Sequence, residues 1–285
     1  MRELLEEEVF STVRSTLSSA AEALATSSET ILLLAAPSLH GALAIAPIEA
    51  ALLDAGIPYR RRFRIEDPNT VPYVHILGPG ETSGPTLDTN PTRLSIATVV
   101  VDGLRGHQGD ARKGPLTPVV QAHALAQSIF PESNRLRWMR PWLVSGNWLN
   151  SALETTYDPV YTTLRDLLSS EGSIRVVPIP EVGGPSVDHL PWLDKNALEA
   201  VSGQWSRMDL EDKARALSNL AKPALTSGTP SSARLEELMW HCILGSEWSA
   251  DLATQIRNAS SYWEREPANL AASSVVDLLL RDGQC

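Results

Sequence analysis

The chain has 285 residues, of which 43% are hydrophobic and 20% are charged, the balance of a globular protein with one large or two modest domains. Its two cysteines, Cys242 and Cys285, exclude a disulfide framework and a cysteine-based zinc ribbon. The net charge of −10 excludes a simple polycation that wraps DNA. The opening residues are acidic where a secretory signal would be basic and then apolar, and no apolar run approaches the roughly 20 residues that span a bilayer. We therefore expect a cytoplasmic protein.

The first half of the sequence predicts an α/β fold. An amphipathic helix over 2–25 precedes a short apolar run, TILLLAAP (30–37), which is typical of a strand buried on both faces. A helix over 38–56, ending at a glycine, and a strand over 57–63 complete a βαβ unit, and such units build parallel sheets. The sequence then predicts a strand over 71–77, a loop over 78–91, a strand over 93–103 and a helix over 115–130.

The pattern changes after residue 135 and becomes mainly helical. The tryptophan-bearing segment 136–154 is predicted to be helical, with its tryptophans packed in the protein in preference to a base-stacking platform. Asp158 and a following proline predict the start of a helix over 158–172, which precedes a strand over 173–182. Further helices are predicted over 195–206, 209–222, 231–245, 248–263 and 268–281. We expect an α/β domain over 1–182 and a smaller, mainly helical region over 183–285.

Basic side chains are concentrated in two segments of the first half. Residues 57–64 carry a net charge of +4 and residues 103–140 also carry +4, whereas residues 141–285 carry −8. Arginines outnumber lysines twenty to four, and the planar guanidinium group suits phosphate and carboxylate contacts. Solvated faces or protein contacts are the favoured explanation, and nucleic-acid contact is the alternative. The candidates for nucleic-acid contact are Arg60, Arg61, Arg62, Arg64, Arg112 and Lys113.

The turn after the first βαβ strand is the position where α/β proteins usually place a ligand site. This turn, AAPSLHG (35–41), has neither common phosphate-binding glycine motif and no carboxylate. Ser38 and His40, two residues apart, do not by themselves form a hydrolase site, and Ser38 is expected to cap the helix that follows. The histidines show no zinc-ligand spacing. We therefore predict no metal and no cofactor.

The stretch ILLLAAPSLHGALAIAPIEAALLDAGIPYRRRF resembles the opening of the DHH phosphoesterase superfamily, the RecJ nucleases and their relatives. That family begins with a strand, a D-x-D-G turn and an alanine-rich helix that ends near A-G-I-P-Y. The D-x-D-G positions fall on Ser38, Leu39, His40 and Gly41, so the glycine is retained and both aspartates are replaced. The resemblance covers about residues 30–130 and weakens through 182, and the last hundred residues lack the G-G-G-H-type motif of the nucleases.

A second part of the resemblance lies in YVHILGPGETSGPTLDTNP, which is similar to the family's strand, D-H-H motif and asparagine–proline turn. The D-H-H positions fall on Gly78, Pro79 and Gly80, and an alternative alignment, less attractive, places them on Asp102, Gly103 and Leu104. In either alignment the histidine pair is absent.

The resemblance implies a catalytically inactive member of this superfamily. The active enzymes hold two divalent ions with aspartates and a histidine, and those ligands are replaced here. Inactive members include the Cdc-forty-five type subunit of the replicative helicase and its archaeal RecJ-like counterparts. The resemblance therefore implies an archaeal, nucleoid-associated scaffold subunit that binds GINS and the MCM helicase and, further, guides single-stranded DNA.

Two other functions remain open from the sequence. One is an active metal-dependent phosphoesterase or exonuclease that acts on single-stranded nucleic acid through an unusual site. The other is a nucleotide-sensing domain that uses the former active-site cleft.

Overall fold

The computed structural model describes residues 1–63, 71–78, 80–105, 111–150, 152–155, 157–228 and 230–285. The described strands are β1 (Ile31–Ala35), β2 (Tyr59–Arg62), β3 (Tyr73–Ile76), β4 (Thr86–Thr89), β5 (Thr92–Ile96), β6 (Val99–Arg105), β7 (Ala111–Leu116), β8 (Ile174–Val177) and β9 (Cys242–Gly245). The described α-helices are α1 (Arg14–Ala25), α2 (Leu39–Asp54), α3 (Pro118–Ile129), α4 (Asn134–Met139), α5 (Ser145–Trp148), α6 (Ala152–Thr155), α7 (Pro159–Ser170), α8 (Lys195–Gln204), α9 (Leu210–Ser227), α10 (Ser232–Met239), α11 (Leu252–Ser260) and α12 (Ala268–Asp282). In these ranges no helix is long and apolar enough to cross a membrane.

A five-stranded sheet forms the centre of the α/β part. Its strand order is β2-β1-β3-β5-β4. β1 is parallel to β2 and β3, and β3 is parallel to β5, whereas β4 forms an antiparallel hairpin with β5. The predicted α/β class with a parallel-sheet βαβ unit and a largely helical remainder is confirmed. The chain reverses its direction of travel across the sheet beside β1, so the carboxyl ends of β1 and β3 border the switch point of this sheet.

The segment predicted as one strand over 93–103 contains a break. β5 ends at Ile96 in the central sheet, and β6 begins at Val99 in a separate antiparallel pair with β7. The buried side-chain amide of Gln121 donates to the carbonyl of Ala97 at 2.7 Å and to that of Leu116 at 2.9 Å. Because this amide occupies both carbonyls, the backbone at the break leaves the sheet without losing its hydrogen bonds. β4 and β7 were absent from the prediction, which gave a loop over 78–91 and began a helix at 115.

Two helix predictions were also too long. Residues 4–10 form short 3₁₀ turns, and α1 begins only at Arg14, whose side chain donates to the carbonyls of Leu5 and Glu6. The predicted helix over 231–245 ends at Met239, and β9 follows it. β9 pairs antiparallel with β8, with Val177 opposite Cys242. A short apolar run fits a buried strand or a buried helix, so the partner strand decides between them.

The apolar core has two clusters. The first joins the central sheet, α2 and α3 to the buried face of α12, including Val275, Val276 and Leu279. The second lies between β8, β9 and the helices α8, α9 and α10. β8 lies before residue 182 and β9 lies after it. The division of the chain at residue 182 stays a prediction.

A buried ion pair joins distant parts of the first core. Arg140 and Glu171 have side chains that are 2% and 4% exposed, with Arg140 Nε 2.8 Å from Glu171 Oε1 and Nη2 3.1 Å from Oε2. Arg140 Nη2 and Gln127 Nε2 both donate to the carbonyl of Arg2, and the backbone N–H of Arg2 donates to Glu171. Burial alone would raise the pKa of Glu171, but the hydrogen bonds and charge of Arg140 outweigh it, so the pKa is lowered. Burial, and then the charge of Arg140, lower the pKa of His123 to about 3.

We predict that R140M lowers the free energy of unfolding by about 3–5 kcal/mol, because the carboxylate of Glu171 is then buried without its charged partner. The double variant R140M/E171M should recover part of this loss, since the stranded charge is removed as well. Urea unfolding measures both effects. The matched control is R215M, in an exposed pair with Glu211, which should change stability by less than about 0.5 kcal/mol. Equal losses of stability in R140M and R215M would contradict the conclusion that the buried pair of Arg140 and Glu171 stabilises the fold more than an exposed pair does.

Candidate functional site

The turn between β1 and α2 carries the positions where the sequence resemblance places the first motif. Ser38 caps α2, and its Oγ accepts a hydrogen bond from the N–H of Gly41 at 3.2 Å. A Cβ on Gly41 would lie 2.4 Å from the carbonyl oxygen of Ala36. Glycine is therefore required where the helix folds back against the turn, whatever the chemistry of the neighbouring positions. Trp263 supports the turn by donating its indole N–H to the carbonyl of Pro37 at 3.1 Å.

A cavity of about 320 Å³ lies beside this turn, at the carboxyl edge of the parallel sheet. His40 from the first turn of α2 and Gly80 from the segment after β3 both line it. The fold thus brings one residue from each of the two motif regions to a single cavity. Its remaining lining residues are Thr98, Thr117, Pro118, Gly146, Leu149 and Asn150. Burial lowers the pKa of His40, so the imidazole is neutral at pH 7.

A buried polar network supports one wall of the cavity. Thr117 Oγ1 donates to Asn147 Oδ1 at 3.2 Å, and Asn147 Nδ2 donates to Asp158 Oδ2 at 2.9 Å. Asp158 caps α7, as predicted, because its Oδ1 accepts from the N–H groups of Val160 at 2.9 Å and Tyr161 at 3.1 Å. Burial raises the pKa of Asp158 despite these hydrogen bonds. The carboxylate is used to position α7 and Asn147.

The cavity does not fit the pair of divalent ions that the resemblance associates with active family members. Its described lining contains one imidazole, two threonine hydroxyls and one side-chain amide, with no carboxylate. Hard divalent cations require carboxylate or carbonyl oxygens in number. Over the described ranges, no group of three or more His, Cys, Asp or Glu residues is placed to hold a metal ion.

The remaining positions to which the resemblance assigns a motif lie after β3 and on β6. Gly78 is half-buried after β3, and its carbonyl accepts from the N–H of Glu81 at 3.0 Å. Pro79 lies outside the described residues. In the alternative alignment, Asp102 is exposed on β6, 4.0 Å from Lys113 Nζ. A Cβ on Gly103 would lie 2.7 Å from the carbonyl carbon of Pro159, so this glycine allows β6 to pack against α7.

The arginines of β2 divide between the two faces of the sheet. Arg61 is directed toward α2 and α12, with Nη1 3.0 Å from Glu49 and Nη2 2.7 Å from Asp277. Its side chain is 16% exposed. Since alternate residues of a strand face opposite sides, Arg60 and Arg62 lie on the other face. Arg60 is exposed and Arg62 is half-buried, and neither forms an ion pair with another residue of the described ranges.

The second basic segment lies on a different sheet. Arg112 and Lys113 are exposed on β7, which, among the strands of the described ranges, pairs with β6 and with no other. Arg64 lies outside the described residues. The structure therefore supports Arg60, Arg62, Arg112 and Lys113 as accessible cations, and it assigns Arg61 to an internal ion-pair network. Nucleic-acid contact by any of them stays a prediction.

Thr98, Thr117 and Asn150 line the cavity but were not among the residues singled out from the sequence. Thr98 follows the carboxyl end of β5, the position where ligand-contacting residues are expected in a parallel sheet. The prediction of an unbroken strand over 93–103 concealed that end. Thr117 and Asn150 reach the cavity only because β7 and α5 are packed beside it, which no local pattern shows.

The sheet, the βα turn and the cavity together define an α/β protein with a ligand-sized cleft at the carboxyl edge of a parallel sheet. No protein-family model matches the chain, and no curated protein matches it. Among solved structures, the chain is similar to the crystal structure of CDC45 from Entamoeba histolytica, with a TM-score of 0.49 and 10% sequence identity. The similarity covers 95% of this chain and 67% of that chain.

We predict that G41A lowers the free energy of unfolding by about 1–3 kcal/mol, because the added methyl group collides with the backbone of the turn. G203A is the matched control. Gly203 lies in α8, and a Cβ added there would have no atom within 4 Å, so alanine should be neutral or stabilising by about 0.5–1 kcal/mol. Thermal or urea unfolding measures both. If G41A were as stable as G203A, the steric explanation for the retained glycine would be wrong.

Proposed function

We propose that the chain is a non-catalytic, DHH-like scaffold subunit of an archaeal replicative helicase complex, that it binds GINS and MCM, and that it guides single-stranded DNA. One observation carries the proposal. The segment over 30–130 follows the superfamily's order of strand, turn and alanine-rich helix and keeps the sterically required Gly41, while Ser38 and His40 stand at the carboxylate positions.

The character of the cavity supports a non-catalytic role. Metal-dependent phosphoester hydrolysis needs a metal-activated water and groups that stabilise the developing charge. The described lining supplies a neutral imidazole and hydroxyl and amide groups, with no carboxylate to hold an ion. The acidic remainder of the chain, with a net charge of −8 over 141–285, is better suited to protein contacts than to a nucleic-acid groove.

Purification of the tagged protein from its native cells tests the proposal directly. We expect GINS and MCM components to copurify at salt concentrations that remove weak ionic contacts, and the same tag on an unrelated protein is the control. Recovery without either component would count decisively against the proposal. Manganese-dependent cleavage of labelled single-stranded DNA that is lost in H40A would instead establish the phosphoesterase alternative.

A nucleotide-sensing role is the second candidate, and the cavity itself favours it. The cavity of about 320 Å³ lies between the first turns of α2 and α3, and helix N-termini favour anionic groups. Mass spectrometry of the same native preparation distinguishes the candidates. A stoichiometric nucleotide in the absence of helicase components would favour the sensor, whereas helicase components without nucleotide would favour the scaffold.

The positions of the β2 arginines on the two faces of the sheet determine which substitutions test contact with single-stranded DNA. Because Arg60 and Arg62 are accessible and Arg61 is held internally, R60Q/R62Q should reduce the slope of log affinity against log salt for single-stranded DNA by about 1.4. R175Q/R207Q removes the same charge from exposed positions of the acidic part and should leave the slope unchanged. Fluorescence anisotropy with labelled oligothymidine measures the slopes. An unaltered slope in R60Q/R62Q would remove these two arginines from the DNA-contact hypothesis.

A further inference from the structure

A second cavity, which we call the α10 cavity, shares no lining residue with the cavity at the sheet edge. Its volume is about 400 Å³, within the range of ligand-binding pockets. Ser232 and Glu236 of α10 and Trp240, which directly follows the helix, contribute to its wall. Because these three residues are spaced four apart, they share one face of the helix. The other lining residues are Tyr157, Leu225, Leu235 and His241.

Glu236 places in the α10 cavity a negative charge that no arginine or lysine of the described ranges pairs with. Its Oε2 accepts a hydrogen bond from the hydroxyl of Tyr157 at 2.6 Å. Its Oε1 is 3.6 Å from His241 Nε2, beyond hydrogen-bond distance. The side chain is 36% exposed, and Oε1 is not among the enclosed atoms without a partner. By contrast, the buried neighbour Glu237 pairs with Arg165 at 2.8 Å.

His241 does not supply the missing positive charge in this arrangement. Its Nδ1 is 3.1 Å from Arg165 Nη1 and 3.3 Å from Glu237 Oε1. A guanidinium group has only donors, so at the shorter contact Nδ1 is the acceptor and the ring carries its single proton on Nε2. Arg165 directs its own charge to Glu237 and Asp166. The α10 cavity is therefore left with the negative charge of Glu236.

The aromatic and apolar residues of the α10 cavity suit a cation that is carried on an aliphatic stem. Tyr157 is 54% exposed, and its hydrogen bond to Glu236 holds its ring beside the carboxylate. Tyr157 and Trp240 are residue types whose ring faces attract ammonium and guanidinium groups. Leu225, which is 64% exposed, adds apolar surface of the kind that the methylene groups of a basic side chain cover.

The hydrogen bond of Tyr157 also distinguishes between the two basic side chains. It occupies one oxygen of Glu236 and leaves the other open. A bidentate guanidinium contact uses both oxygens of a carboxylate, whereas an ammonium group acts as a point charge that one oxygen can hold. The α10 cavity therefore fits lysine better than arginine.

We propose that the α10 cavity binds a lysine side chain of a partner protein, with its ammonium group at Glu236 Oε1 and its stem against Tyr157, Trp240 and Leu225. The net charge of −8 over 141–285 favours the approach of a basic protein surface and disfavours the phosphates of a nucleic acid. The half-exposed Tyr157 and Leu225 provide apolar contact for the residues that flank the lysine. The proposal does not depend on the proposed function.

The test uses the full-length protein and a blocked tripeptide with lysine between two leucines. Titration is followed by the indole N–H signal of Trp240 in ¹H–¹⁵N spectra, which is assigned by its absence in W240F. We expect a saturable shift with a Kd below about 1 mM. The matched peptide has norleucine in place of lysine, which removes the ammonium group and keeps the stem, and it should bind about tenfold more weakly or less.

E236Q removes the charge but keeps an acceptor for Tyr157, so it should weaken lysine binding about tenfold or more without unfolding the site. Its control is E199Q, which removes the same charge from an exposed position of α8 and should leave the Kd within about twofold. Y157A should weaken binding about fivefold, whereas L270A, at a side chain with the same 54% exposure outside the cavity, should leave it unchanged. Circular dichroism verifies that all four variants are folded; if Y157A is not, E236Q alone decides.

Four outcomes would overturn the proposal. They are the absence of a saturable shift in the wild type, equal binding of the norleucine peptide, equal losses in E236Q and E199Q, and tighter binding of spermidine than of the lysine peptide. The third would show attraction to the acidic surface as a whole, and the fourth would assign the cavity to a free polyamine. A tighter Kd for the arginine peptide would overturn the choice of lysine.

Discussion

The buried ion pair of Arg140 and Glu171 is the constraint on which the arrangement of the α/β part depends. Two charges in an apolar interior are tolerated only when hydrogen bonds satisfy both groups, and here those bonds come from the backbone of Arg2, from Gln127 of α3 and from Ser173, which follows α7. These elements cannot separate without exposing a charge to an apolar core. α3 begins at the sheet-edge cavity and α7 begins at the network behind it, so two of the elements that meet at the pair also reach the cavity.

The same rule, that a buried charge needs a charged or hydrogen-bonding partner, explains why neighbouring arginines of β2 have different roles in the structure. Arg61 is neighboured by Arg60 and Arg62, yet it alone pairs with Glu49 and Asp277 and joins β2 to two helices. Burial of its partner makes that pairing necessary: burial raises the pKa of Glu49, and the charge of Arg61 opposes the shift. A cluster of basic residues therefore does not define a binding face until strand alternation has assigned each side chain to one side of the sheet.

In the turn between β1 and α2, some residues are required by the fold and others only by the chemistry of a site. Gly41 is fixed by a close approach of backbone atoms that any protein with this turn must accommodate. Ser38 and His40 are under no such constraint, and here they supply a helix cap and part of a cavity wall. A turn can in this way keep its shape while the charges and ligands at its edge change, which makes a scaffold role compatible with an enzyme-like architecture.

The elements that could be predicted from the amino-acid sequence are those whose signals are local. The apolar run of β1, the alanine-rich α2 ended by Gly56, and the Asp158 cap of α7 belong to this group, because spacing, capping and turn chemistry act within a few residues. Long-range packing decided instead that residues 242–245 form a strand, that the chain leaves the sheet at Ala97, and which side chains line the cavity. Each of these depends on a partner tens of residues away, such as β8 for β9 or Gln121 for Ala97. A short apolar segment by itself fits a buried strand or a buried helix equally well, and the partner element decides between them.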